Sequence, residues 1–216
     1  MKRFLGILIA TCAAVVICSP GRASTIFSIQ PSTVAATPGS VGNAFDVVLT
    51  NSGPSSITVA GFSFEVSVTN ANITLTGADF SPAAFLYIFA GDSLDEGSLI
   101  PLNYTWGQTL DAADVYDISG SGVTITSGES LALGQVFFDV SSGAAIGAFL
   151  VTFTGTSVVS DANNLSDPSG NAISVDSFAG GTIEVVPEPG SLFLMLVGLS
   201  ALAACACRRL GHAMRA

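Results

Sequence analysis

Gly61-Phe62-Ser63-Phe64-Glu65-Val66-Ser67-Val68-Thr69 alternates apolar and polar side chains without a break from Phe62 onward. This period of two is typical of a β-strand that buries one face and exposes the other. Phe149, Val151 and Phe153 alternate in the same way with Leu150, Thr152 and Thr154. The two stretches therefore predict strands that contribute to a common apolar core.

The chain on either side of these stretches continues the β pattern. Short apolar runs are separated by turn-forming clusters of Gly, Pro, Ser, Asn and Asp. The additional predicted strands are Ile26–Gln30, Phe45–Thr50, Ile57–Ala60, Ile73–Thr76, Val123–Thr126, Leu131–Val140 and Thr182–Val186. One or two helical turns are predicted from Ser81 to Phe89, with Ser81 as N-cap and Pro82 at the first helical position. Such spacing predicts an all-β domain, a single antiparallel β-sandwich of jelly-roll type, with an immunoglobulin-like sandwich as the alternative.

Charge is distributed very unevenly along the 216 residues. All six Lys and Arg lie in the two ends of the chain, whereas all 16 Asp and Glu lie between Ala23 and Cys207. The acidic interval therefore lacks the cations that bind phosphate, which excludes nucleic acid and anionic membrane surfaces as partners of this domain. The only histidine, His212, lies beyond Cys207, and the four cysteines lie in the two apolar ends of the chain. A Ser-His-Asp triad and a His/Cys zinc site are thereby excluded from the domain.

The N-terminus has the three parts of a secretory signal peptide. Met1-Lys2-Arg3 supplies the positive charge, an apolar run follows to Cys18, and Gly21 and Ala23 are the small residues that a signal peptidase requires. The sequence predicts a signal peptide over residues 1–23, cleaved between Ala23 and Ser24. The extracytoplasmic domain then covers residues 24–186.

The C-terminus combines a rigid anionic break, an apolar run and a basic cluster. Pro187-Glu188-Pro189 is held extended because each proline restricts its own φ and the residue before it. Residues 191–207 carry no charge and have the minimum length of a membrane helix. Arg208 and Arg209 follow and would be retained on the cytoplasmic side. The sequence predicts a membrane span at 191–207 with the acidic domain on the far side.

This order of elements closely resembles the PEP-CTERM sorting signal. The resemblance covers Val186-Pro187-Glu188-Pro189-Gly190, the apolar span and the arginine cluster. It implies export across the inner membrane, recognition and cutting near Pro187-Glu188-Pro189 by an exosortase, and delivery to the cell surface or an exopolysaccharide matrix. The signal would thus occupy residues 187–216.

The domain itself is similar, more weakly, to cohesin-like and carbohydrate-binding β-sandwiches. The similarity rests on the opening Ile29–Ser40 and Phe45–Leu49, the strand Gly61–Val66 leading into Asn72–Leu75, and Leu133–Val140. It implies a jelly roll with a binding or structural role. No residue of a recognition surface can be carried over from it.

Carboxylates are the remaining candidates for chemistry. Asp92, Asp95 and Glu96 in one loop, or Asp111, Asp114 and Asp117 in the next, could serve a glycan hydrolase, and the latter three would share one face if their stretch were helical. Calcium is the one cofactor that the composition allows, in the loops Asp92–Glu96 and Asp161–Asp167. Trp106 with Tyr104, and Tyr87 near Phe85 and Phe89, could form a sugar-stacking face or lie in the core.

The sequence as a whole favours a non-catalytic exported protein. The predicted role is a structural or binding module of the cell surface or extracellular matrix, whose partner is exopolysaccharide or another surface protein. No catalytic or metal-ligating residue is assigned. The alternative is a secreted glycan-active hydrolase that uses loop carboxylates.

Overall fold

The computed structural model describes residues 24–79, 84–94, 107–117, 122–155, 162–188, 190, 194–197 and 199–200. The predicted signal peptide and most of the predicted membrane span lie outside these residues. Between residues 24 and 186 the described regular structure consists of β-strands. In chain order they are β1 (Thr25–Gln30), β2 (Thr33–Ala36), β3 (Asn43–Asn51), β4 (Ile57–Val59), β5 (Gly61–Val68), β6 (Ile73–Asp79), β7 (Thr109–Val115), β8 (Val123–Ile125), β9 (Ser130–Val140), β10 (Gly147–Phe153), β11 (Asn164–Ser166), β12 (Ala172–Ile173), β13 (Ser177–Ala179) and β14 (Gly181–Val185).

The strands form two large sheets and one small ribbon. The first sheet has five strands in the order β13-β1-β3-β9-β6. The second has seven, in the order β12-β11-β5-β10-β14-β2 with β7 on the other side of β5. β4 and β8 form the ribbon. The prediction of an all-β sandwich is confirmed.

The core lies between the two large sheets, where the alternation of β5 predicts it. Phe62, Phe64, Val66 and Val68 are all buried, with at most 4% of their surface exposed. Across the core, Phe27 of the first sheet lies 5.9 Å from Phe153 of the second, measured between ring centroids. Burying a side chain of this size contributes about 1.5–3 kcal/mol. The sandwich is therefore stabilised mainly by apolar contacts, in keeping with the scarcity of charge.

Two strands cross from one sheet to the other, which makes part of the pairing parallel. β1 continues into β2, and β13 continues into β14, each changing sheets in the middle of the sandwich. The two crossing strands run side by side, so that β1 pairs with β13 and β2 pairs with β14 in parallel. The predicted purely antiparallel sandwich is wrong at these two pairs, because a sheet crossing depends on long-range packing that residue alternation does not encode.

Gly180 and Gly181 make the second crossing possible. A Cβ atom on Gly180 would lie 2.5 Å from the carbonyl oxygen of Val151. One on Gly181 would lie 2.7 Å from Cγ2 of Ile29. The chain can pass this closely between neighbouring strands only because neither residue has a side chain.

The segment 84–94 connects the edges of the two sheets and is not helical. Ile88 donates a backbone hydrogen bond to Ala132 of β9 (2.9 Å), and Leu94 donates one to Val115 of β7 (3.0 Å). Tyr87 forms a β-bridge with Ala132 instead of a helical turn. The predicted helix is therefore wrong over the described residues 84–89. The segment bonds to both sheets, and between these contacts it forms hydrogen-bonded turns, in which Ala90 donates to the carbonyl of Tyr87 (3.2 Å) and Asp92 to that of Phe89 (2.9 Å).

The turns divide the sandwich into two ends. The chain-exit end is formed by residues 37–42, 69–72, 141–146 and 186–188, where β2, β5, β9 and β14 finish. The acidic end lies opposite and contains Asp92, Asp117, Glu129, Asp167 and Asp176. Residues 37–42, 69–72 and 141–146 include no charged side chain, but Glu188 is exposed at this end and Asp139 of β9 accepts the N–H of Gly42 at 2.8 Å. Most, but not all, of the carboxylates in the described turns therefore lie at the acidic end.

Candidate functional site

The predicted sorting residues follow directly from an interior strand. β14 lies between β10 and β2, and the N–H group of Val186 still donates to the carbonyl of Ala36 (2.9 Å). Pro187 is half-buried and Glu188 is exposed. Pro189, Arg208 and Arg209 lie outside the described residues, as does Ala23. Ser24 is the first residue described, and its carbonyl accepts the N–H of Ser52 (2.8 Å).

The chain beyond Pro189 is helical wherever it is described. Gly190, residues 194–197 and residues 199–200 are in helical conformation. Within the described part of the chain, no helix is long and apolar enough to cross a membrane. The predicted span 191–207 includes further residues that lie outside this part.

The acidic residues Asp111 and Asp114 lie on a strand and not in a loop or helix. Both belong to β7, which pairs with β5 along its whole length. Residues three apart point to opposite faces of a strand. Asp111 accordingly lies on the outer face, whereas Asp114 is completely buried. The stretch is a strand and not a helix, so the condition for a shared face of Asp111, Asp114 and Asp117 is not met. Asp117 follows the strand, and its N–H is bonded to the carbonyl of Asp92 (2.8 Å).

Asp114 has a structural role at the acidic end. Its carboxylate accepts hydrogen bonds from the hydroxyl groups of Tyr87 and Ser93, the latter at 2.6 Å. It also accepts the N–H of Val115 at 2.7 Å. Burial and the adjacent carboxylate raise the pKa of Tyr87, so that its hydroxyl remains a donor. These bonds fix the segment 84–94 to β7, and they satisfy a buried charge that has no cationic partner among the described residues.

Glu65 and Asp111 form a carboxyl pair that sequence analysis missed. They are cross-strand neighbours on β5 and β7. Burial, then the hydrogen bond to Asp111 and its charge, raise the pKa of Glu65 from 4.5 to about 7. Oδ1 of Asp111 and Oγ1 of Thr154 are buried, with no hydrogen-bond partner in the described part of the chain. No sequence signal identifies this pair, because β7 was not predicted as a strand.

The pair does not have the geometry of a glycan hydrolase. Catalytic carboxyl groups in such enzymes are about 5–9.5 Å apart to accommodate the sugar or a water molecule. Glu65 and Asp111 are instead directly opposite each other on neighbouring strands of a sheet face, close enough for Asp111 to raise the pKa of Glu65. The hydrolase alternative therefore gains no support from the carboxylates that the fold brings together. Asp95 and Glu96 lie outside the described residues.

Two members of the predicted aromatic face, Tyr87 and Phe89, belong to the core, whereas Phe85 is half-buried. Tyr87 and Phe89 are buried and pack with Phe62 at centroid distances of 6.4 and 5.6 Å. Their rings are therefore not available for stacking on a sugar. Trp106 and Tyr104 lie outside the described residues.

The described parts of the two candidate calcium loops make ordinary turn contacts. Asp167 accepts the N–H groups of Ser169 and Asn171, both at 2.8 Å, and the side-chain amide of Asn171 at 3.0 Å. Asn163 accepts the N–H of Glu65 (3.0 Å) and donates to the carbonyl of Thr154. Among the described residues, no group of three or more His, Cys, Asp or Glu is arranged to hold a metal ion. Asp161, Asp95 and Glu96 lie outside them.

Comparison with protein families identifies the C-terminal element. Residues 185–209 match the PEP-CTERM protein-sorting motif. The match begins at the last residue of β14 and contains all five predicted sorting-signal residues, Pro187, Glu188, Pro189, Arg208 and Arg209. The chain therefore carries this motif immediately after its folded domain. No curated protein sequence matches the chain.

Comparison with solved structures identifies the fold of the domain. The sixth cohesin of scaffoldin B from Acetivibrio cellulolyticus, solved with a dockerin, has a TM-score of 0.53 at 19% identity and aligns over 76% of this chain and 99% of its own. CaCohA2 from Clostridium acetobutylicum, solved in a complex with CaDoc0917, has a TM-score of 0.54 at 15% identity over 76% and 100%. A type I cohesin from Pseudobacteroides cellulosolvens has a TM-score of 0.51 at 13% identity over 76% and 94%. The similarity to cohesin domains is thus one of fold.

Proposed function

We propose that this chain is an exported, non-catalytic surface protein that an exosortase processes at its C-terminal signal. In this proposal, signal peptidase removes residues 1–23 and the apolar segment 191–207 anchors the precursor in the inner membrane. Cutting near Pro187-Glu188-Pro189 then releases the sandwich to the cell surface or to an exopolysaccharide matrix. The observation that carries the proposal is the sorting motif at residues 185–209, directly after the last strand of a folded domain.

The position of the motif relative to the fold supports this order of events. Val185 is fully buried in the second sheet, whereas Glu188 is exposed only three residues later. A protease could therefore reach the extended Pro187-Glu188-Pro189 segment without opening the sandwich. Cutting there would also leave β14 intact, since the strand ends at Val185.

The partner of the sandwich is proposed to be another protein. Two of the cohesin structures that share its fold were solved as complexes, one of them with a dockerin. The domain offers closed sheets whose buried aromatic residues pack in the core, which favours recognition through a surface over enclosure of a small ligand. In this proposal, the mature protein lies within exopolysaccharide, but the sandwich binds a protein and not the polysaccharide.

Intact-mass analysis of surface-released protein tests the processing step. We expect a chain that begins at Ser24 and ends near Pro187-Glu188-Pro189. Replacement of Pro187, Glu188 and Pro189 together by alanine should leave an uncut, membrane-bound form. Recovery of residues 191–216 on the released protein would contradict exosortase processing.

A matched control separates recognition from folding. Ser169 and Asn171 lie in an exposed turn at the acidic end. Alanine at these two positions also changes exposed residues, but it leaves the sorting motif untouched. We expect this variant to be cut and released as efficiently as the unaltered chain.

A further inference from the structure

We propose that the exosortase binds the folded chain-exit end of the sandwich together with the linear sorting motif. The inference rests on the proposed processing by an exosortase and adds a second recognition surface for that enzyme. Its central residues are Val41 and Ile146, which flank the point where the motif leaves the sandwich. These residues and their turns, 37–42 and 141–146, are called the exit face.

The sorting motif begins inside the folded domain. Its match starts at Val185, the last residue of β14, which is fully buried. Val185 is paired with Gly147 of β10 on one side and with Ala36 of β2 on the other. The next residue, Val186, still donates its N–H to the carbonyl of Ala36 (2.9 Å). The first two residues of the motif are therefore presented as part of a sheet.

The exit face lies on both sides of this point. The turn that carries Val41 follows Ala36 directly, and Ile146 immediately precedes Gly147. Val41 is 75% exposed and Ile146 is 61% exposed. Each strand that pairs with Val185 thus leads to an exposed aliphatic side chain beside the motif.

Backbone hydrogen bonds join the two turns into one preformed surface. Gly39 donates to the carbonyl of Val140 (3.0 Å), and Val140 donates to the carbonyl of Ser40 (2.9 Å). A Cβ atom on Gly39 would lie 3.7 Å from Cβ of Ser142, so the turns are in contact. A partner can bind such a surface without first ordering it, which reduces the entropic cost of association.

The short connection brings the enzyme to the exit face. Pro187 is half-buried and Glu188 is exposed. Residues 187–189 reach at most about 11 Å beyond Val186 when fully extended. A specific interface takes about 800 Å² from each partner, which is a patch roughly 28 Å across. An enzyme that grips residues 187–189 therefore also covers the turns beside them.

The carboxylates at this end indicate the charge of the partner. Glu188 is exposed within the motif, and Asp139 of β9 accepts the N–H of Gly42 at 2.8 Å, next to Val41 in the sequence. Residues 24–207 contain no Lys or Arg, so the domain itself supplies no cation to pair with these carboxylates. The exit face therefore fits a protein surface that combines apolar side chains with a basic group.

The acidic end also exposes aliphatic side chains, but they lie far from the motif. Leu94 and Val115 are 44% and 45% exposed, and the N–H of Leu94 binds the carbonyl of Val115 (3.0 Å). β9, which runs between the two ends, has 11 residues. At about 3.4 Å per residue it spans roughly 37 Å, which exceeds the patch that an enzyme at residues 187–189 would cover. Leu94 is therefore the matched control position.

A processing assay tests the contact. The full precursor is expressed in cells that contain its exosortase, and the cleaved product is followed by pulse-chase labelling. V41S and I146S together remove both aliphatic side chains without adding charge, and V41D with I146D adds two carboxylates. We expect each pair to slow cleavage several-fold, whereas L94S and L94D should leave the rate unchanged. Thermal unfolding of each variant verifies that the sandwich remains folded.

A spacer distinguishes a bound surface from a general loss of stability. Ten Gly and Ser residues inserted between Val186 and Pro187 separate the motif from the exit face by about 16–19 Å on average. We expect the spacer to slow cleavage, and V41S with I146S to have a much smaller effect in the spacer chain than in the unaltered one. Equal slowing in both chains would contradict a shared contact, because independent effects add.

Photo-crosslinking identifies the partner directly and does not depend on the aspartate variants. Benzoylphenylalanine is introduced singly at position 41, 146 or 94, all of which are exposed. Illumination should join positions 41 and 146 to the exosortase, whereas position 94 should give no such adduct.

Three outcomes would overturn the proposal. Unchanged cleavage of both substituted pairs, without adducts from positions 41 and 146, would exclude the contact while leaving exosortase processing intact. Absence of cleavage in the unaltered chain would overturn both the processing and the contact. Adducts with lipid or with another protein that form equally in cells without the exosortase would assign the exit face to a different partner.

Discussion

The two ends of the sandwich close their turns with different chemistry. At the acidic end, Asp167 accepts the N–H groups of Ser169 and Asn171, both at 2.8 Å. At the chain-exit end, the side-chain oxygen of Asn70 accepts the N–H of Asn72 at the same distance of 2.8 Å. Carboxylates and amides satisfy turn backbones equally well. Turn geometry therefore does not explain why most of the turn carboxylates lie at one end.

The charged turns also make part of the stability depend on pH. Hydrogen bonds from Thr126 lower the pKa of Glu129, and bonds from Asn171 and Ser169 lower that of Asp167. A carboxylate with a lowered pKa stabilises the fold above its unfolded pKa, and this contribution is lost as the pH falls through the folded value. Most of the described turns of the chain-exit end use amide, hydroxyl and backbone groups, although Asp139 accepts the N–H of Gly42 there. Acid should therefore weaken the turns at Glu129 and Asp167.

The largest expected effect concerns the crossing strand that leads to the chain-exit end. In Gly180→Ala, the new Cβ would meet the Val151 carbonyl oxygen at 2.5 Å, and backbone atoms cannot move aside easily. We expect a loss of about 3 kcal/mol in the free energy of unfolding, as for severe overpacking. Urea unfolding of the full chain in detergent measures it. Gly143→Ala, which has open space around its Cβ, is the control and should stay within about 0.5 kcal/mol.

Removal of Asp114 should destabilise the acidic end by a similar or slightly smaller amount. In Asp114→Ala, the hydroxyl groups of Tyr87 and Ser93 lose their shared acceptor in a buried site. A loss of about 2–3 kcal/mol is expected, or a fall in Tm of roughly 4–12 °C for a domain of this size. Asp114→Asn retains one acceptor oxygen and should cost less. Equal unfolding curves for Asp114→Ala and the unaltered chain would mean that the segment 84–94 is not held in this way.

These residues also show which parts of the molecule the sequence can predict. β5 was predicted because one of its faces is continuously apolar and the other polar, and β9 because it is an apolar run between turn-forming clusters. β7 was missed because the buried Asp114 interrupts its inner face, and the donors that make this burial tolerable lie some 20 residues earlier in the chain. The sheet crossings at Ser32, between β1 and β2, and at Gly180, between β13 and β14, likewise depend on contacts with strands that are distant in the sequence. The sorting motif is readable from sequence because it is linear and its elements keep a fixed order.

A third prediction concerns Glu65 and Asp111, which lie between the two ends on the outer face of the second sheet. The pKa of Glu65 is raised to about 7, so the folded state binds more protons than the unfolded state between about pH 4.5 and pH 7. The free energy of unfolding should fall as the pH rises through this window. The effect should be about 1 kcal/mol after allowance for solvent screening.

Urea unfolding at a series of pH values measures this effect. Glu65→Gln can still donate to Asp111 and does not ionise, so its stability should change less over the window. Glu184→Gln removes an exposed acid from the same sheet and serves as the control. A steeper fall in stability for Glu65→Gln than for the unaltered chain would contradict the assigned pair. The charged turns at Glu129 and Asp167 do not produce such a fall, because they lose stability in the opposite direction, towards low pH.

The smallest expected effect on stability is also the sharpest test of the difference between the ends. Asn70→Asp gives the chain-exit end the turn chemistry of the acidic end, and the new carboxylate can still accept the N–H of Asn72. The free energy of unfolding in detergent should therefore change by no more than about 0.5 kcal/mol. The mirror substitution Asp167→Asn removes a titrating acceptor from the acidic end, so the loss of stability at low pH should become smaller. Asn70→Asp should not make that loss smaller, because it leaves the acidic end unaltered. Urea unfolding at a series of pH values between about 7 and 4 measures both variants. An unchanged pH dependence in Asp167→Asn would mean that the turn at Asp167 does not contribute to the stability that is lost in acid.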